Sequence, residues 1–283
     1  MAAQTFDPEQ YKQRQRTSWG AAAETYGTQM VQFLTPLTEQ VLALLAPQAG
    51  QKILDVASGP GEPALSIAKA LNGTGQVIGT DLAEGMVAQA RKRAQAAGVK
   101  NIEFRQMDAE ALQFSDGFFD GVTCRLGLMI FPHPQHALQE MQRVLTPGGK
   151  SVVAVWGSEE KAGLTRLFRQ VTEKCFPQTK IPGAPSPFAF GQPTALKQAL
   201  TKAGFVNVQT QAFTVTPSFA QPENLWNAFR DGSPLKVLLA QASADVVAQA
   251  REAFLKQAEH SRSTITGRIE VPSEALLAMG LKA

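Results

Sequence analysis

The chain has 283 residues, of which 44% are hydrophobic and 18% are charged, and its formal net charge is +3. This composition is typical of a globular protein and excludes a disordered chain or a fibrous repeat. The 27 lysine and arginine residues are scattered and form no basic face interleaved with aromatic residues, so we do not expect nucleic-acid binding.

The amino terminus and the cysteines indicate in which cellular compartment the protein is found. Asp7 and Glu9 interrupt the first residues, which contain no apolar stretch long enough for a secretory signal. No segment reaches the roughly 20 apolar residues that cross a bilayer. Cys124 and Cys175 lie far apart and outside any CxxC pattern, so we expect neither a disulfide nor a metal site. A cytoplasmic protein without a membrane-spanning segment is predicted.

The first 50 residues are predicted to be helical. Leu37 and Val41 lie at helical spacing, and the pattern ends at Pro47. Trp19 and Tyr26 are seven residues apart and share a helix face. We expect them to pack against each other, the alternative being that one of them contacts a ligand.

In the next hundred residues, short apolar runs alternate with helical stretches. Strands followed by helices indicate parallel βαβ units, whose ligands bind beyond the carboxyl ends of the strands. The predicted strands are Lys52–Val56, Gln76–Thr80, Asn101–Gln106, Phe119–Cys124 and Ser151–Trp156, and the predicted helices between them are Pro63–Leu71, Glu84–Ala97 and Pro134–Leu145.

The remainder of the chain changes character after a loop rich in proline. Five prolines in Pro177–Pro193 exclude a regular helix there. Beyond this loop the pattern predicts a helix near Gln192–Ala203, a strand over Phe205–Thr216, further helix between Gln221 and His260, and a last strand near Thr264–Val271.

The residues best suited to binding a ligand lie at the ends of three predicted strands. The first strand contains Asp55 and leads into a turn in which Gly59 and Gly61 permit a close approach of a ligand to the backbone. Taken alone, this turn is also compatible with a βα turn that binds nothing. Asp81 ends the second strand, twenty positions after Gly61, where it either accepts ribose hydroxyls or caps a helix. Asp108 follows the third strand and is suited to the exocyclic amine of adenine.

Together these elements resemble the core of the class I S-adenosylmethionine (SAM)-dependent methyltransferases, in the type 11 group that includes ubiquinone and menaquinone biosynthesis methyltransferases. The resemblance is strong over Ile53–Trp156, where the family's acidic residue and alternating glycines match the stretch from Asp55 to Gly61. Ala57 replaces the first glycine. The family also has a turn before its fifth strand, which matches Thr146–Lys150.

The resemblance implies an α/β, Rossmann-like fold with a mostly parallel seven-stranded sheet and helices on both faces. It further implies one overall domain in three parts. These are an N-terminal helical lid (1–50), a SAM-binding core (51–156), and a C-terminal part (157–283) that completes the sheet and forms a substrate cap.

The resemblance also implies roles for individual residues. Arg125 is expected either to approach the methionine carboxylate of SAM or to pair with an acid at the sheet edge. The other cofactor-binding residues are Asp55 at the amino group, Ala57, Ser58, Gly59 and Gly61 at the methionine and ribose end, Asp81 at the ribose, Leu82 and Met86 on either side of the adenine, and Asp108 and Ala109 at its polar edge. For Met86 the alternative is simple packing in the helix core.

The activity that follows is transfer of a methyl group from SAM to an oxygen, nitrogen or carbon atom of a small molecule by in-line displacement. Positioning is the main task in such a reaction. We assign no catalytic residue: His133 is a weak candidate for a general base, and an exposed loop histidine without a role is the alternative, as for His136.

The acceptor is expected to be partly apolar, because several aromatic residues belong to segments near the open end of the sheet. They either line a pocket or pack in the core. They are Phe131, Trp156, Phe188 and Phe190. The sequence does not identify the acceptor, its reacting atom or the oligomeric state.

Two other functions compete with this interpretation. A nicotinamide-dependent oxidoreductase is the weaker, because Gly59–Ala64 fits a dinucleotide pattern but Asp55, Asp108 and the helical preamble do not. A SAM-binding scaffold without catalytic activity is the other alternative.

Overall fold

The computed structural model describes residues 6–283, so the first five residues of the predicted lid lie outside the described part of the chain. At its centre is a seven-stranded sheet in the order β3-β2-β1-β4-β5-β9-β6. These strands are β1 (Lys52–Val56), β2 (Gln76–Asp81), β3 (Ile102–Gln106), β4 (Phe119–Arg125), β5 (Leu145–Trp156), β6 (Phe205–Val215) and β9 (Ser273–Lys282).

The strands β1 to β5 pair in parallel, whereas β9 pairs antiparallel with both β5 and β6. Strand β1 is apolar apart from its first residue and Asp55, as expected of a strand covered on both faces. The predicted α/β architecture with a mostly parallel seven-stranded sheet is confirmed.

Helices connect the parallel strands where the sequence predicts them, to within one residue at each end. They are α3 (Ala64–Ala70), α4 (Glu84–Ala96) and α5 (Pro134–Val144). The alternation of strand and helix places the carboxyl ends of β1 to β4 at one edge of the sheet.

The predicted helical preamble is confirmed as α1 (Pro8–Thr25) and α2 (Thr35–Leu45), separated by a π-helical turn at Tyr26–Met30 and a 3-10 turn at Val31–Leu34. Asp7 caps α1, because its carboxylate accepts hydrogen bonds from the next turn's backbone. Helix α1 crosses α4 closely: a Cβ added at Gly85 would lie 2.7 Å from the main-chain oxygen of Gly20.

The C-terminal part differs from the sequence-based prediction in two elements. Helix α6 (Gly163–Cys175) was not predicted. The predicted last strand at Thr264–Val271 is wrong, because only β8 (Ile269–Glu270) is extended there, paired with β7 (Ser218–Phe219). The true last strand is β9, whose residues Ser273–Lys282 contain many helix formers and do not alternate in polarity. Its two neighbours in the sheet impose the extended conformation.

The remaining elements agree with the predicted pattern. The loop after α6 contains a single 3-10 turn, Pro177–Thr179, followed by α7 (Pro193–Lys202). The predicted helical region comprises α8 (Pro222–Gly232), α9 (Leu235–Ala240) and α10 (Ala244–Glu259). Helices α6, α8 and α10 enclose a second hydrophobic cluster beside the sheet core. No helix between residues 6 and 283 is both long and apolar enough to cross a membrane.

Candidate functional site

A cavity of about 830 Å³, partly open to solvent, lies at the carboxyl edge of β1 to β4. The strand ends and the loops that follow them form one wall, and α1 forms the wall opposite. The predicted cofactor residues that line it are Ala57, Gly59, Asp81, Leu82, Met86, Asp108, Ala109 and Arg125.

The glycine-rich turn contributes only some of its predicted cofactor-binding residues to the lining of the cavity. Ala57 and Gly59 line the cavity in left-handed conformations, with φ of 53° and 55°. Gly61 is oriented toward the core, because a Cβ there would lie 3.0 Å from Leu65. Ser58 is buried, and its hydroxyl has no hydrogen-bond partner among the described residues. The turn therefore presents Ala57 and Gly59, but not Ser58 or Gly61, to a ligand.

Asp81 lies where β2 meets this turn. Its carboxylate accepts hydrogen bonds from the backbone N–H of Gly59 at 2.9 Å and of Ala83 at 2.9 Å. Burial raises the pKa of Asp81 to about 6, although these hydrogen bonds oppose the rise. Each carboxylate oxygen keeps a lone pair, so Asp81 both fixes the turn and can accept hydroxyl groups from the cavity.

Asp55 does not line the cavity. Its carboxylate is buried, and it accepts hydrogen bonds from the Thr123 hydroxyl at 2.7 Å and from the Ala64 backbone at 3.1 Å. Burial raises the pKa of Asp55 to about 7, with the Thr123 hydrogen bond opposing the rise. Asp55 thus ties β1 to β4 and to the start of α3 from behind the turn.

Arg125 ends β4 and is 94% buried, with 6% of its surface exposed. Its guanidinium donates to the Thr38 hydroxyl at 3.1 Å and to the main-chain oxygen of Glu62 at 3.0 Å, and both acceptors are uncharged. Its Nε has no hydrogen-bond partner among residues 6–283. The structure therefore does not place Arg125 in a pair with an acid. A buried cation without a charged partner is costly unless an anion binds.

The wall opposite the strand ends is formed by α1 and by the turn that follows it. Trp19 and Tyr26 both line the cavity, and their rings pack edge to face with centroids 5.6 Å apart. They therefore pack together, as expected, and also face the cavity. Met86 is 2% exposed and belongs to a small cluster with Ala23 and Ala83, so it packs as the alternative interpretation expected and also lines the cavity.

Sequence reasoning did not identify Lys12, which lies on α1 and is 7% exposed. Its ammonium group lies 2.8 Å from Asp108 Oδ2 and 2.7 Å from Glu110 Oε2. Burial opposes its charge, but these hydrogen bonds raise the pKa of Lys12 above its ordinary value. Burial would also raise the pKa of Glu110, yet hydrogen bonds from Lys12 and His133 hold it below its ordinary value. A lysine in a mostly polar helix carries no local signal of such a contact.

His133 lies at the rim and not in the cavity lining. Its Nδ1 is 3.0 Å from Glu110 Oε2, and its side chain is 45% exposed. The imidazole stacks on that of His136, with centroids 5.3 Å apart. The geometry does not bring His133 to the cavity, so its role as a base stays a prediction.

The predicted aromatic pocket is only partly assembled. Phe131 lines the cavity beside Leu126 and Ile130, giving this end an apolar surface. Trp156, Phe188 and Phe190 are not among the lining residues and pack against the main core instead. Among residues 6–283, no group of three or more His, Cys, Asp or Glu side chains is placed to hold a metal ion.

Comparison with known proteins identifies relatives of the part of the chain that forms the sheet and the cavity. Residues 53–149 match a family model described as a methyltransferase domain. The chain is 36% identical over 172 residues to a demethylmenaquinone methyltransferase of Thermus thermophilus, covering 57% of this chain and 77% of that protein. It is 37% identical over 128 residues to the ubiquinone/menaquinone biosynthesis C-methyltransferase UbiE of Pseudomonas fluorescens, covering 45% of this chain and 50% of that relative. The chain thus spans about half the length of the latter protein.

Among solved structures, the YcgJ protein of Bacillus subtilis is similar, with a TM-score of 0.59 and 20% identity. The match covers 87% of this chain and 97% of that one. At this identity the likeness concerns the fold.

Proposed function

Because the chain belongs to the class I SAM-dependent methyltransferases and transfers a methyl group from SAM to a small molecule, we propose that its acceptor is a reduced quinone methylated on a ring carbon. The observation that carries this proposal is the similarity to a demethylmenaquinone methyltransferase over 77% of that protein. The apolar end of the cavity, at Leu126, Ile130 and Phe131, supports it. Neither an oxidoreductase nor a non-catalytic scaffold is favoured by the relatives.

The cavity offers each part of SAM a matching group. Arg125, a buried cation with unused hydrogen-bonding capacity, is suited to the methionine carboxylate. Asp81 is suited to the ribose hydroxyls. We propose that Leu82 and Met86 contact the adenine ring, with Asp108 and Ala109 at its polar edge.

The residues behind the turn have a different proposed role. Asp55, Ser58 and Gly61 lie outside the lining, and the carboxylate of Asp55 is occupied by Thr123 and Ala64. We propose that these three residues hold the shape of the turn and do not contact the cofactor.

SAM supplies a methyl group already activated by its sulfonium. The chain therefore has to bind and orient the two reactants and to exclude water. Such positioning accounts for a large part of the lowering of the barrier in reactions of this kind. Ala57 and Gly59 form the floor beside the reacting end, while Leu126, Ile130 and Phe131 provide a surface on which a flat apolar ring can lie. In carbon methylation the ring carbon gains the methyl group, SAM becomes S-adenosylhomocysteine, and the ring carbon loses a proton to solvent.

The parts of the chain outside the core complete the proposal. Helix α1 acts as a lid over the adenine end, and residues 157–283 act as a cap for the acceptor. A cytoplasmic location, in which the protein works without binding nucleic acid, stays a prediction.

A product assay tests the choice of acceptor. The purified protein is incubated with SAM and a reduced demethylated naphthoquinone, and products are analysed by mass spectrometry and NMR. We expect S-adenosylhomocysteine and a quinone methylated on its ring. Phosphoethanolamine serves as the control acceptor and is expected to stay unmodified. Methylation of the phosphoethanolamine amine, or of a ring oxygen of the quinone, would contradict the proposal. Binding of SAM without formation of any methylated quinone would contradict it as well.

A further inference from the structure

Lys12 is an unusual residue for an outer helix, because its ammonium group is buried against two carboxylates. Asp108 and Glu110 follow β3, ninety-six and ninety-eight positions later in the chain, and both accept from Lys12 within 2.8 Å. Glu9 lies farther away, at 3.5 Å, and its side chain is 74% exposed. The strong contacts of Lys12 are therefore made to the wall of the cavity and not to its own helix.

Asp108 is held at both of its oxygens. Oδ1 accepts the backbone N–H of Glu110 at 2.9 Å, and Oδ2 accepts from Lys12 at 2.8 Å. The side chain nevertheless keeps 27% of its surface exposed and lines the cavity. A carboxylate oxygen has a further lone pair, so Oδ2 can accept a second hydrogen from a ligand.

Without Lys12, Asp108 and Glu110 would be two neighbouring carboxylates with no shared cation. Glu110 is held in place by His133, whose backbone N–H donates to Oε1 at 2.7 Å. Its side chain is 6% exposed, so it has little access to water. Like charges repel most where water is scarce, and Asp108 is the freer of the two to turn away.

We propose that Lys12 is a positioning residue, which holds Asp108 as an acceptor for the adenine amine and so lets the lid select adenine against hypoxanthine. This inference rests on the proposed placement of adenine in the cavity. An ionised carboxylate only accepts hydrogen bonds, whereas the amine of adenine donates and the carbonyl of hypoxanthine accepts. Asp108, held in this way, favours the first base and opposes the second.

Calorimetric titration with two ligands tests the proposal. S-adenosylhomocysteine and S-inosylhomocysteine differ only along the N1–C6 edge of the base, where the amine of adenine is replaced by a carbonyl and N1 changes from an acceptor to an N–H donor. In Lys12→Met we expect affinity for the adenine ligand to fall about ten- to a hundredfold, the range for losing a hydrogen bond to a charged group. Affinity for the hypoxanthine ligand should not fall, because the carboxylate that opposes its carbonyl is no longer held in place. The preference between the ligands is therefore expected to collapse.

Three further variants locate the effect. Lys12→Arg keeps the cation and should restore most of the preference. Glu9→Gln removes the exposed neighbour and should leave both affinities unchanged. Asp108→Asn, with Lys12 intact, should lose the same preference, and it serves as the test if Lys12→Met does not fold by circular dichroism.

The outcomes separate this inference from the proposed function. Equal weakening of both ligands in Lys12→Met, or an unchanged preference in Asp108→Asn, would mean that Lys12 only anchors α1, and the inference would be overturned. Failure of the wild-type protein to bind S-adenosylhomocysteine would instead contradict the placement of the cofactor.

Discussion

At the scale of single residues, Arg125 places a buried positive charge in the wall of the cavity. Its hydrogen-bond acceptors, the Thr38 hydroxyl and the Glu62 main chain, orient the guanidinium without neutralising it. Burial of a charge in this state is unfavourable, and a ligand carboxylate would relieve it. The proposed role of Arg125 in binding the methionine carboxylate follows from this burial.

Removal of this charge should distinguish ligands with a carboxylate from those without one. In Arg125→Met we expect affinity for S-adenosylhomocysteine to fall about ten- to a hundredfold, because a charge-assisted pair is lost. Affinity for 5′-deoxy-5′-methylthioadenosine, which has no carboxylate, should be retained. Calorimetry with both ligands measures the difference.

Arg105→Met is the matched control, because Arg105 is exposed and pairs with Glu103 on β3. It should alter neither affinity. If Arg125→Met weakened both ligands equally, Arg125 would be a structural residue and its assignment to the carboxylate would be wrong.

The individual residues of the cavity differ in how visible they are in the sequence. Asp81 and Asp108 could be predicted because each lies at the end of a predicted strand in a repeating βα pattern. Lys12 could not, since its partners are brought near only when α1 folds across the sheet edge. The sequence also does not indicate which residues of the turn face the cavity. Gly59 and Gly61 are two residues apart, yet only Gly59 lines it.

At the scale of elements, the crossing of α1 over α4 positions α1 beside the cavity. The crossing is tight on one side only. A Cβ at Gly85 would meet the Gly20 backbone at 2.7 Å, whereas a Cβ at Gly20 would have its nearest atom, Gly85 N, at 3.9 Å. The two glycines therefore provide a matched pair of substitutions.

Gly85→Ala should displace α1, because contacts under 3.0 Å with backbone atoms can be relieved only by moving a helix. We expect weaker binding of S-adenosylhomocysteine and a loss of about 1–3 kcal/mol in the free energy of unfolding, measured by calorimetry and by urea denaturation. Gly20→Ala should be neutral or slightly stabilising, since alanine favours the helix. Equal effects of the two substitutions would refute this account of the crossing.

The elements of the core could be predicted almost completely from the sequence. Strands β1 and β2 are short and largely apolar runs bounded by turns, so local pattern and tertiary environment agree there. Strand β9 was missed because Ala, Leu and Met at Ala275–Met279 do not distinguish a buried strand from a helix. Its conformation is decided by the backbone hydrogen bonds that β5 and β6 offer on either side.

At the scale of the whole molecule, burial of Asp55 links stability to pH. Its pKa is raised by burial to about 7 in the folded protein, above the ordinary value of 3.8 that it takes when unfolded. Between these values the folded state binds more protons. The contribution of Asp55 to stability is therefore fully present below pH 3.8 and is lost as the pH rises through about 7.

The substitution Asp55→Asn should remove this dependence. Asparagine can still accept from the Ala64 backbone and donate to the Thr123 hydroxyl. From pH 5 to pH 8 we expect the wild type to lose about 2–3 kcal/mol relative to Asp55→Asn in the free energy of unfolding. Urea denaturation of both proteins across this range measures the difference. Parallel pH profiles would show that Asp55 does not titrate in this window.

The sequence by itself determined the class of sheet and the strand ends at which the cavity lies, because both depend on short segments whose polarity pattern is local. The tertiary structure decided which residues of those segments face the ligand, how β9 enters the sheet and how Lys12 meets Asp108. These features depend on contacts between segments far apart in the chain. The cavity itself belongs to the same category, since Tyr26 and Phe131, which both line it, come from segments far apart in the chain.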